Sequence, residues 1–287
     1  MLILAATPIG NLGDATLRLI ETLKSVNTIA CEDTRVAARL LDGLKIENRP
    51  KLIAVHDHNE KEKAESLAEL ALSEDVLLLS DAGMPTVSDP GYAVVRAAIA
   101  ANVPLTVLPG PSAPVTALAL SGLATDRFSF EGFLPRKKQE LENTLRQRAG
   151  DSQTLIFFES AQRLNETLAT MVKVFGADRQ VAVARELTKM FEEVVRGSLS
   201  ELVALERAWR GEICLVVAGS APKTSTLADG VSEVVALAAS GTGLKQAAEQ
   251  VAELTGLSKR ELYQGALAAR SSGRSDRLGT GVKHPSE

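Results

Sequence analysis

Short apolar runs alternate with amphipathic stretches over the first 121 residues of the chain. Brief runs rich in Val, Ile and Leu are typical of buried strands, and amphipathic stretches are typical of helices packed on a sheet. The alternation therefore predicts an α/β domain with a mostly parallel sheet over residues 1–121. Its predicted strands are 2–6, 26–31, 52–55, 76–79 and 105–108. Its predicted helices are 15–24, 34–42, 60–72, 91–102 and 113–121.

The pattern changes after Gly122 and predicts a second α/β domain over residues 122–222. This domain opens with Phe128-Ser129-Phe130 and the turn Gly132-Phe133-Leu134-Pro135, and we expect antiparallel pairing in part of its sheet. The predicted strands are 154–158, 180–184, 190–196 and 213–218. The predicted helices are 137–149, 161–175 and 198–208.

A small helical unit is predicted over residues 230–270, after a Gly, Pro, Ser and Thr-rich linker at 219–230. Apolar residues from Leu244 to Leu254 recur on one helical face, and Gly256 ends that helix. Ser258 and Glu261 have the spacing of a capping box for a second helix to about Arg270. This helix-turn-helix spacing fits a nucleic-acid-binding unit and a plain helical hairpin equally well. The polar tail 271–287 is predicted to be disordered.

Composition indicates an ordinary globular protein of 287 residues with a net charge of -4. The longest apolar runs are far shorter than the ~18 residues of a membrane helix, so we expect no membrane association. The sequence starts without a secretory signal, and we expect the protein in the cytoplasm. Cys31 and Cys214 lie in apolar runs, which favours neither a disulfide framework nor a zinc site.

Positive charge is concentrated in two places despite the acidic total. Residues 132–150 hold five basic and two acidic side chains, and residues 241–287 hold seven and five. The first of these places contains the segment Arg136-Lys137-Lys138. A solvated helix face and a polar tail would explain the two excesses equally well.

Three Gly- and Pro-containing loops follow predicted strands of the first domain and lead into helices. Because ligands bind beyond the carboxyl ends of parallel strands, these loops predict a preorganised pocket. None of them is a dinucleotide loop or a phosphate-binding P-loop, so a nicotinamide or ATP enzyme is not favoured. The loops are Thr7-Pro8-Ile9-Gly10-Asn11-Leu12-Gly13-Asp14, residues 80–91 and Pro109-Gly110-Pro111-Ser112-Ala113.

These loops and their spacing resemble those of the tetrapyrrole methylases over about residues 1–220. The resemblance implies that S-adenosylmethionine lies in a cleft between two α/β domains. It also implies cofactor contacts, for which carboxylate, hydroxyl and backbone groups of the loops are suitable. The implied contacts are Pro8, Asp81, Met84, Ser112 and Ala113. Asp14 and Ser88 are instead expected to be turn or cap residues.

Within that family, the chain is similar to the methylases that modify a cytidine ribose at the 2'-oxygen in small-subunit ribosomal RNA. The resemblance implies that the partner is this RNA or the assembled 30S subunit, and that the protein is a homodimer. Contact with the RNA is then expected from Arg136-Lys137-Lys138 and Arg163, with the helical unit helping to hold a folded substrate. Five segments in order carry the resemblance, and they are spread over residues 7–189. They are residues 7–14, Cys31-Glu32-Asp33-Thr34-Arg35, His56-Asp57-His58-Asn59-Glu60, residues 132–137 and Arg185-Glu186-Leu187-Thr188-Lys189.

A ribose hydroxyl is a poor nucleophile, so methyl transfer needs a base or a cation that steadies the developing alkoxide. The candidate catalytic residues are Glu32, Arg35, Glu186 and Lys189, with Asp33 and Arg185 beside them. Asp33 or Thr34 could instead cap the helix at 34–42, and Arg185, Glu186 and Lys189 could form an ion-pair network. His56 and His58 point to opposite faces of a strand end, so no metal site is expected.

Two other functions fit part of the sequence. A methyltransferase of a tetrapyrrole small molecule would use the same pocket but leaves the helical unit and Arg136-Lys137-Lys138 unexplained. A non-catalytic nucleic-acid-binding module leaves the three-loop pocket unexplained.

Overall fold

Ten strands in two sheets and eleven α-helices make up the part of the chain that the computed structural model describes, residues 1–56, 58–221 and 226–275. Residues 1–220 form one compact unit, and the described residues from 221 onward form a second. None of the helices described is long and apolar enough to cross a membrane.

The first sheet is parallel throughout, with strand order β3-β2-β4-β1-β5. Its strands are β1 Leu2–Ala5, β2 Thr28–Cys31, β3 Lys51–Ala54, β4 Val76–Leu79 and β5 Leu105–Leu108. Its helices are α1 Leu17–Ser25, α2 Thr34–Gly43, α3 Glu60–Ser73, α4 Tyr92–Ala100 and α5 Ala113–Ser121. One apolar cluster packs α1 and α2 against the sheet, and another packs α3 and α4. Because β4, β1 and β5 are parallel neighbours, with Ala5 paired to both Leu79 and Leu108, their carboxyl ends lie side by side.

The second sheet has the order β6-β7-β10-β8-β9, parallel between β6 and β7 and antiparallel elsewhere. Its strands are β6 Phe128–Phe133, β7 Thr154–Ser160, β8 Gln180–Arg185, β9 Glu193–Ser198 and β10 Glu212–Val217. Helices α6 Lys138–Arg148, α7 Leu164–Phe175 and α8 Leu199–Ala204 pack on one face around Phe157. The two α/β domains, with the expected antiparallel pairs in the second sheet, confirm the predicted fold class.

Helix α5 joins the two sheets. Its residues Ala117 and Leu118 are buried with Ile156, Ala182 and Val216 of the second sheet. Since α5 begins at the edge of the first sheet, this packing brings the loop before it against the second sheet.

Two predictions for the second sheet were wrong in detail. Strand β6, Phe128–Phe133, includes the first two residues of the turn predicted at Gly132-Phe133-Leu134-Pro135, and its alternation of apolar and polar residues is the period of a strand. Strand β9 begins at Glu193, three residues after the predicted start, because residues 186–192 form the connecting loop.

Three helices form the second unit: α9 Leu227–Ala239, α10 Leu244–Thr255 and α11 Lys259–Ser275. They pack around Val234, Val251 and Leu262. Helix α9 was predicted in part as linker, although Thr226 and Asp229 form a capping box at its start. Gly256 ends α10 in the left-handed conformation as predicted, and the Glu261 amide donates to the Ser258 hydroxyl at 3.4 Å. Helix α11 includes the first five residues of the predicted tail, and 276–287 lie outside the described residues.

Ser198→Ala is expected to lower the free energy of unfolding of the second domain by about 1 kcal/mol. Ser198 is buried and caps α8 through a reciprocal capping box with Glu201. The chain has a single tryptophan, Trp209, which packs in this domain, so its fluorescence in a denaturant titration reports the change. Ser66→Ala, an exposed change inside α3, is the control and should have little effect. If the two variants unfold at the same denaturant concentration, Ser198 does not stabilise the domain by capping α8.

Candidate active site

The three Gly- and Pro-containing loops meet at the carboxyl edge of the first sheet. Thr7 and Gly83 exchange backbone hydrogen bonds of 2.9 and 3.0 Å, which ties the loop after β1 to the loop after β4. The Ala6 amide donates to the Leu108 carbonyl at 3.1 Å, which ties in the end of β5. The predicted convergence of the three loops is therefore observed.

A cavity of about 800 Å³ lies between these loops and the second sheet. Its wall combines apolar side chains with the backbone of Gly- and Ser-containing turns, as expected of a site for a small organic ligand. Residues from both domains line it, among them Met84, Ser88, Phe133, Phe158, Leu187, Trp209 and Gly211. Ser88, expected to be a turn residue, lines this wall with a left-handed φ of 64°.

Four of the five predicted cofactor contacts line this cavity: Asp81, Met84, Ser112 and Ala113. Pro8 lies instead in a second cavity of about 320 Å³, between the loop after β1 and helix α2. Asp81 lines both cavities, so the two cavities are neighbours. The role of all five residues in binding a cofactor stays a prediction.

Helix α5 presents its N-terminus to the large cavity. Ser112 is its N-cap residue, but the Ser112 hydroxyl makes no capping hydrogen bond. Pro114 in the first turn has no N–H to donate, and Ser112, Ala113 and Pro114 all line the cavity. The start of α5 therefore offers a hydroxyl and a backbone amide to a polar group of a ligand.

Asp81 is a half-buried carboxylate that connects two loops. It accepts a hydrogen bond of 3.0 Å from the Asp33 amide. Burial raises the pKa of Asp81, and the nearby Asp33 charge adds to the rise, whereas the Asp33 amide and the Arg39 guanidinium oppose it. Asp81 therefore takes up a proton at a higher pH than an exposed aspartate does.

The candidate residues at the start of helix α2 face different surroundings. Glu32 lines the large cavity, but Arg35 does not, and 86% of the Arg35 side chain is exposed. Asp33 is the N-cap of α2 and accepts from the Arg35 amide at 2.8 Å, as the capping alternative predicted. Hydrogen bonds from the Arg35 side chain and amide lower the pKa of Asp33 to about 2. Arg35 thus faces solvent, paired with Asp33.

Glu186 and Lys189 do not line the large cavity, but they flank Leu187 in the chain and contact Glu212, and both of these residues line it. The Lys189 ammonium is 3.0 Å from both Glu186 and Glu212, and the Glu212 amide donates to Glu186 at 3.0 Å. The ion-pair alternative is thus observed, and it leaves a catalytic role open.

The same contacts set the charge of both residues. The hydrogen bond from the Glu212 amide, helped by Lys189, lowers the pKa of Glu186. Burial alone would lower the pKa of Lys189, but its bonds to Glu212 and Glu186 raise it above the usual value. At neutral pH this loop therefore carries a fixed ion pair, and Lys189 can act as a cation but not as a base.

The loop 186–189 also packs tightly on the loop after β1. A Cβ atom at Gly10 would lie 2.5 Å from Cγ of Lys189 and 2.9 Å from the Leu187 carbonyl oxygen. Glu186 and Thr188 have left-handed φ angles of 51° and 66°. Backbone strain of this kind persists only where surrounding contacts impose it, and it is concentrated at functional sites.

Glu159 is a functional candidate that sequence reasoning missed. It lines the large cavity at 3% exposure and accepts hydrogen bonds of 2.7 Å from the Thr167 hydroxyl and the Ser160 amide. The sequence feature that could have identified Glu159 is its position as a charged residue directly after the apolar run 154–158.

Arg163, which was predicted to contact RNA, is instead bound to residues of the protein beside Glu159. Its guanidinium is 3.3 Å from the Glu159 carboxylate and donates to the carbonyl oxygens of Leu134 and Pro135. Arg163 therefore fixes the turn that precedes Arg136-Lys137-Lys138, all three of which are exposed.

Among the residues that the structure describes, no group of three or more His, Cys, Asp or Glu side chains could hold a metal ion. His56 bonds to Asn59, and the ring centroids of His56 and His58 are 6.1 Å apart. Glu60 caps the start of α4 through the amides of Gly91 and Ala93. This segment therefore supports helix packing, and Asp57 lies outside the described residues.

Family comparisons agree with this architecture. The family described as Tetrapyrrole (Corrin/Porphyrin) Methylases matches residues 1–203, and the RsmI C-terminal HTH domain matches residues 225–270. A Ribosomal RNA small subunit methyltransferase I from Synechocystis sp. is 43% identical over 282 residues, covering 95% of this chain and 99% of the relative. A relative of the same name from Mesorhizobium japonicum is 44% identical, covering 96% and 94%.

Two solved structures share the fold. Diphthine synthase superposes with a TM-score of 0.57 at 14% identity, covering 76% of this chain and 90% of its own. The methyltransferase CobJ gives the same TM-score at 20% identity, covering 77% and 94%. At such low identity, these two similarities concern the fold alone.

Proposed function

The chain belongs to the tetrapyrrole methylase family, and within it to the ribosomal RNA small subunit methyltransferases I; from this premise we propose that it methylates the 2'-oxygen of a cytidine ribose in 16S ribosomal RNA. The motif resemblance is thereby confirmed, and the chain is a methyltransferase. Similarity at 42–44% identity over more than nine-tenths of the chain carries the proposal. It extends through the helical unit, which a tetrapyrrole-only enzyme leaves unexplained.

The large cavity suits S-adenosylmethionine as the methyl donor. Met84, Phe133 and Trp209 offer apolar surface for an adenine ring, and Ser112 and the start of α5 offer donors to a carboxylate. Asp81 would face the positively charged end of the donor, and Pro8, which lines the neighbouring second cavity, would contact the donor only at the boundary that Asp81 marks. The bound donor supplies a methyl group activated by a sulfonium, and the protein's contribution is to hold the acceptor in line with it.

We assign separate roles to the four catalytic candidates. Glu32, which lines the cavity, is placed to accept the proton of the ribose hydroxyl. Lys189 supplies positive charge beside the cavity for the developing alkoxide, and Glu186 positions Lys189. Arg35 lies outside the cavity, so its contribution is to the RNA rather than to the reacting atoms.

The RNA substrate would contact exposed basic residues outside the cavity. Arg136, Lys137 and Lys138 follow the turn that Arg163 fixes, and phosphate contacts of this kind position an RNA without reading its sequence. The helical unit, which matches a helix-turn-helix family, would bind the folded RNA of the 30S subunit in the cytoplasm.

A homodimer would cover the edge of the first sheet. Strand β5 lies at this edge, and Leu105 and Val107 are exposed on one of its faces. Exposed apolar edge strands favour pairing with another chain. Light scattering should give twice the chain mass of 30.4 kDa.

The direct test is transfer of labelled methyl from S-adenosylmethionine to 30S subunits purified from cells that lack the protein. Nuclease digestion then assigns the label to sugar or base. We expect a single 2'-O-methylcytidine. Binding of the donor without transfer to subunits or to free 16S RNA would refute the proposal.

A further inference from the structure

The second cavity is adjacent to the site of methyl transfer but is built from the first domain alone. The loop after β1 forms one wall, with Pro8, Asn11 and Leu12, and helix α2 forms the other. Its floor is Ser80 and Asp81 at the end of β4, and Asp81 also lines the large cavity. A group bound in the second cavity would therefore lie beside the ligand of the first.

Size and lining favour a single nucleoside as the occupant. At about 320 Å³ the cavity is near the lower limit for small-ligand sites and less than half the volume of its neighbour. Leu12, Val36 and Leu40 provide apolar surface for a base. Asn11 and Asp81 provide amide and carboxylate groups for its polar edge. Proteins that act on single RNA nucleotides read splayed bases with this combination of groups.

Arg39 adds a positive charge to the lining of this cavity. It is exposed, and among the described residues no hydrogen bond or ion pair engages its guanidinium. Arg35, one turn earlier on the same face of α2, is instead bound to Asp33. The charge of Arg39 opposes the rise in the pKa of Asp81, but no hydrogen bond or ion pair to a described residue holds its guanidinium, which leaves its donors available for bidentate binding of a phosphate.

We propose that the second cavity receives the acceptor nucleoside of the RNA and that Arg39 binds the phosphate next to it. The inference rests on the proposed function, since it identifies where that acceptor binds. It makes Arg39 a binding residue for RNA and separates the acceptor compartment from the donor compartment, with Asp81 between them.

Arg39→Gln tests the phosphate contact, and Arg96→Gln is the matched control. Arg96 is an exposed arginine of the same domain on α4, which packs on the opposite face of the sheet from α2. Co-sedimentation with 30S subunits over a series of salt concentrations measures affinity independently of catalysis. We expect Arg39→Gln to weaken binding about tenfold and to reduce the salt dependence by about one phosphate contact. Its KM for subunits should rise, with kcat and donor affinity unchanged, and Arg96→Gln should match the wild type.

Val36→Phe tests the cavity without a change of charge. The larger side chain would occupy space that the base needs, so methyl transfer should fall at least about tenfold while donor affinity is retained. Equal subunit binding by the Arg39 and Arg96 variants would overturn the phosphate contact. Weaker donor binding by Val36→Phe would assign the cavity to the donor. Wild-type protein that binds subunits without methylating them would refute the proposed function. The co-sedimentation of the Arg39 and Arg96 variants would still show whether Arg39 binds an RNA phosphate.

Discussion

Gly211→Ala is expected to reduce methyl transfer about 100-fold, because the wall of the large cavity has no room for a side chain there. Gly211 has a left-handed φ of 82°, and an added Cβ would lie 2.5 Å from Cγ of Glu186 and closer still to its carboxyl group. Glu186 would have to turn away and release the Glu212 amide and Lys189. Leu187 and Glu212, which line the cavity, would move with it.

Gly122→Ala separates this collision from backbone strain. Gly122 has a left-handed φ of 74°, but an added Cβ would have no neighbour within 4 Å, and the residue lies after α5 outside the cavity lining. Both alanine variants bear the cost of a left-handed conformation, about 1–2 kcal/mol in stability. Single-turnover transfer at saturating donor should be lost only in Gly211→Ala. If both variants lose activity equally, strain and not the position of Glu186 is responsible.

The first domain was predictable because its local signals agree with one another. Each of its strands is a short apolar run followed by a Gly or Pro loop or a polar cap, and parallel pairing places the ends of such strands on one edge. The amino-acid sequence alone therefore predicts that Asp81, Met84 and Ser112 lie near one another. Helix α9 was missed because its run of Val and Ala lacks a clear polar stripe.

The wall that the second domain contributes could not be predicted in the same way. Phe133, Glu159 and Trp209 reach the cavity only because α5 packs across the second sheet, a contact between residues far apart in the sequence. The left-handed φ angles of Glu186 and Thr188 are likewise imposed by tertiary contacts, since neither residue type favours them. The spacing of Arg35 could not reveal that it lies outside the cavity lining and is bound to Asp33 on the solvent side of α2.

Asp81→Asn is expected to lower methyl transfer by about 100- to 1,000-fold, since among the described residues Asp81 is the one carboxylate that lines both cavities. Asparagine keeps the size and the oxygen that accepts from the Asp33 amide, so the loop should hold its position. Asp14→Asn is the control, because Asp14 is exposed in the loop after β1 and lines neither cavity.

The pH dependence distinguishes a functional charge from a structural one. Burial raises the pKa of Asp81 above its value in the unfolded chain. At a pH above this raised pKa the folded protein holds an ionised carboxylate that lowers its stability. This loss of stability becomes smaller as the pH falls through the raised pKa. The Asp81→Asn change should therefore leave the free energy of unfolding at neutral pH unchanged or higher. A loss of activity in this variant would then not be caused by unfolding. If the ionised form is required, wild-type transfer falls as the pH drops through that pKa, and the residual activity of Asp81→Asn lacks this acid limb. An Asn variant that transfers methyl at the wild-type rate, with the wild-type pH profile, would show that Asp81 only joins the two loops.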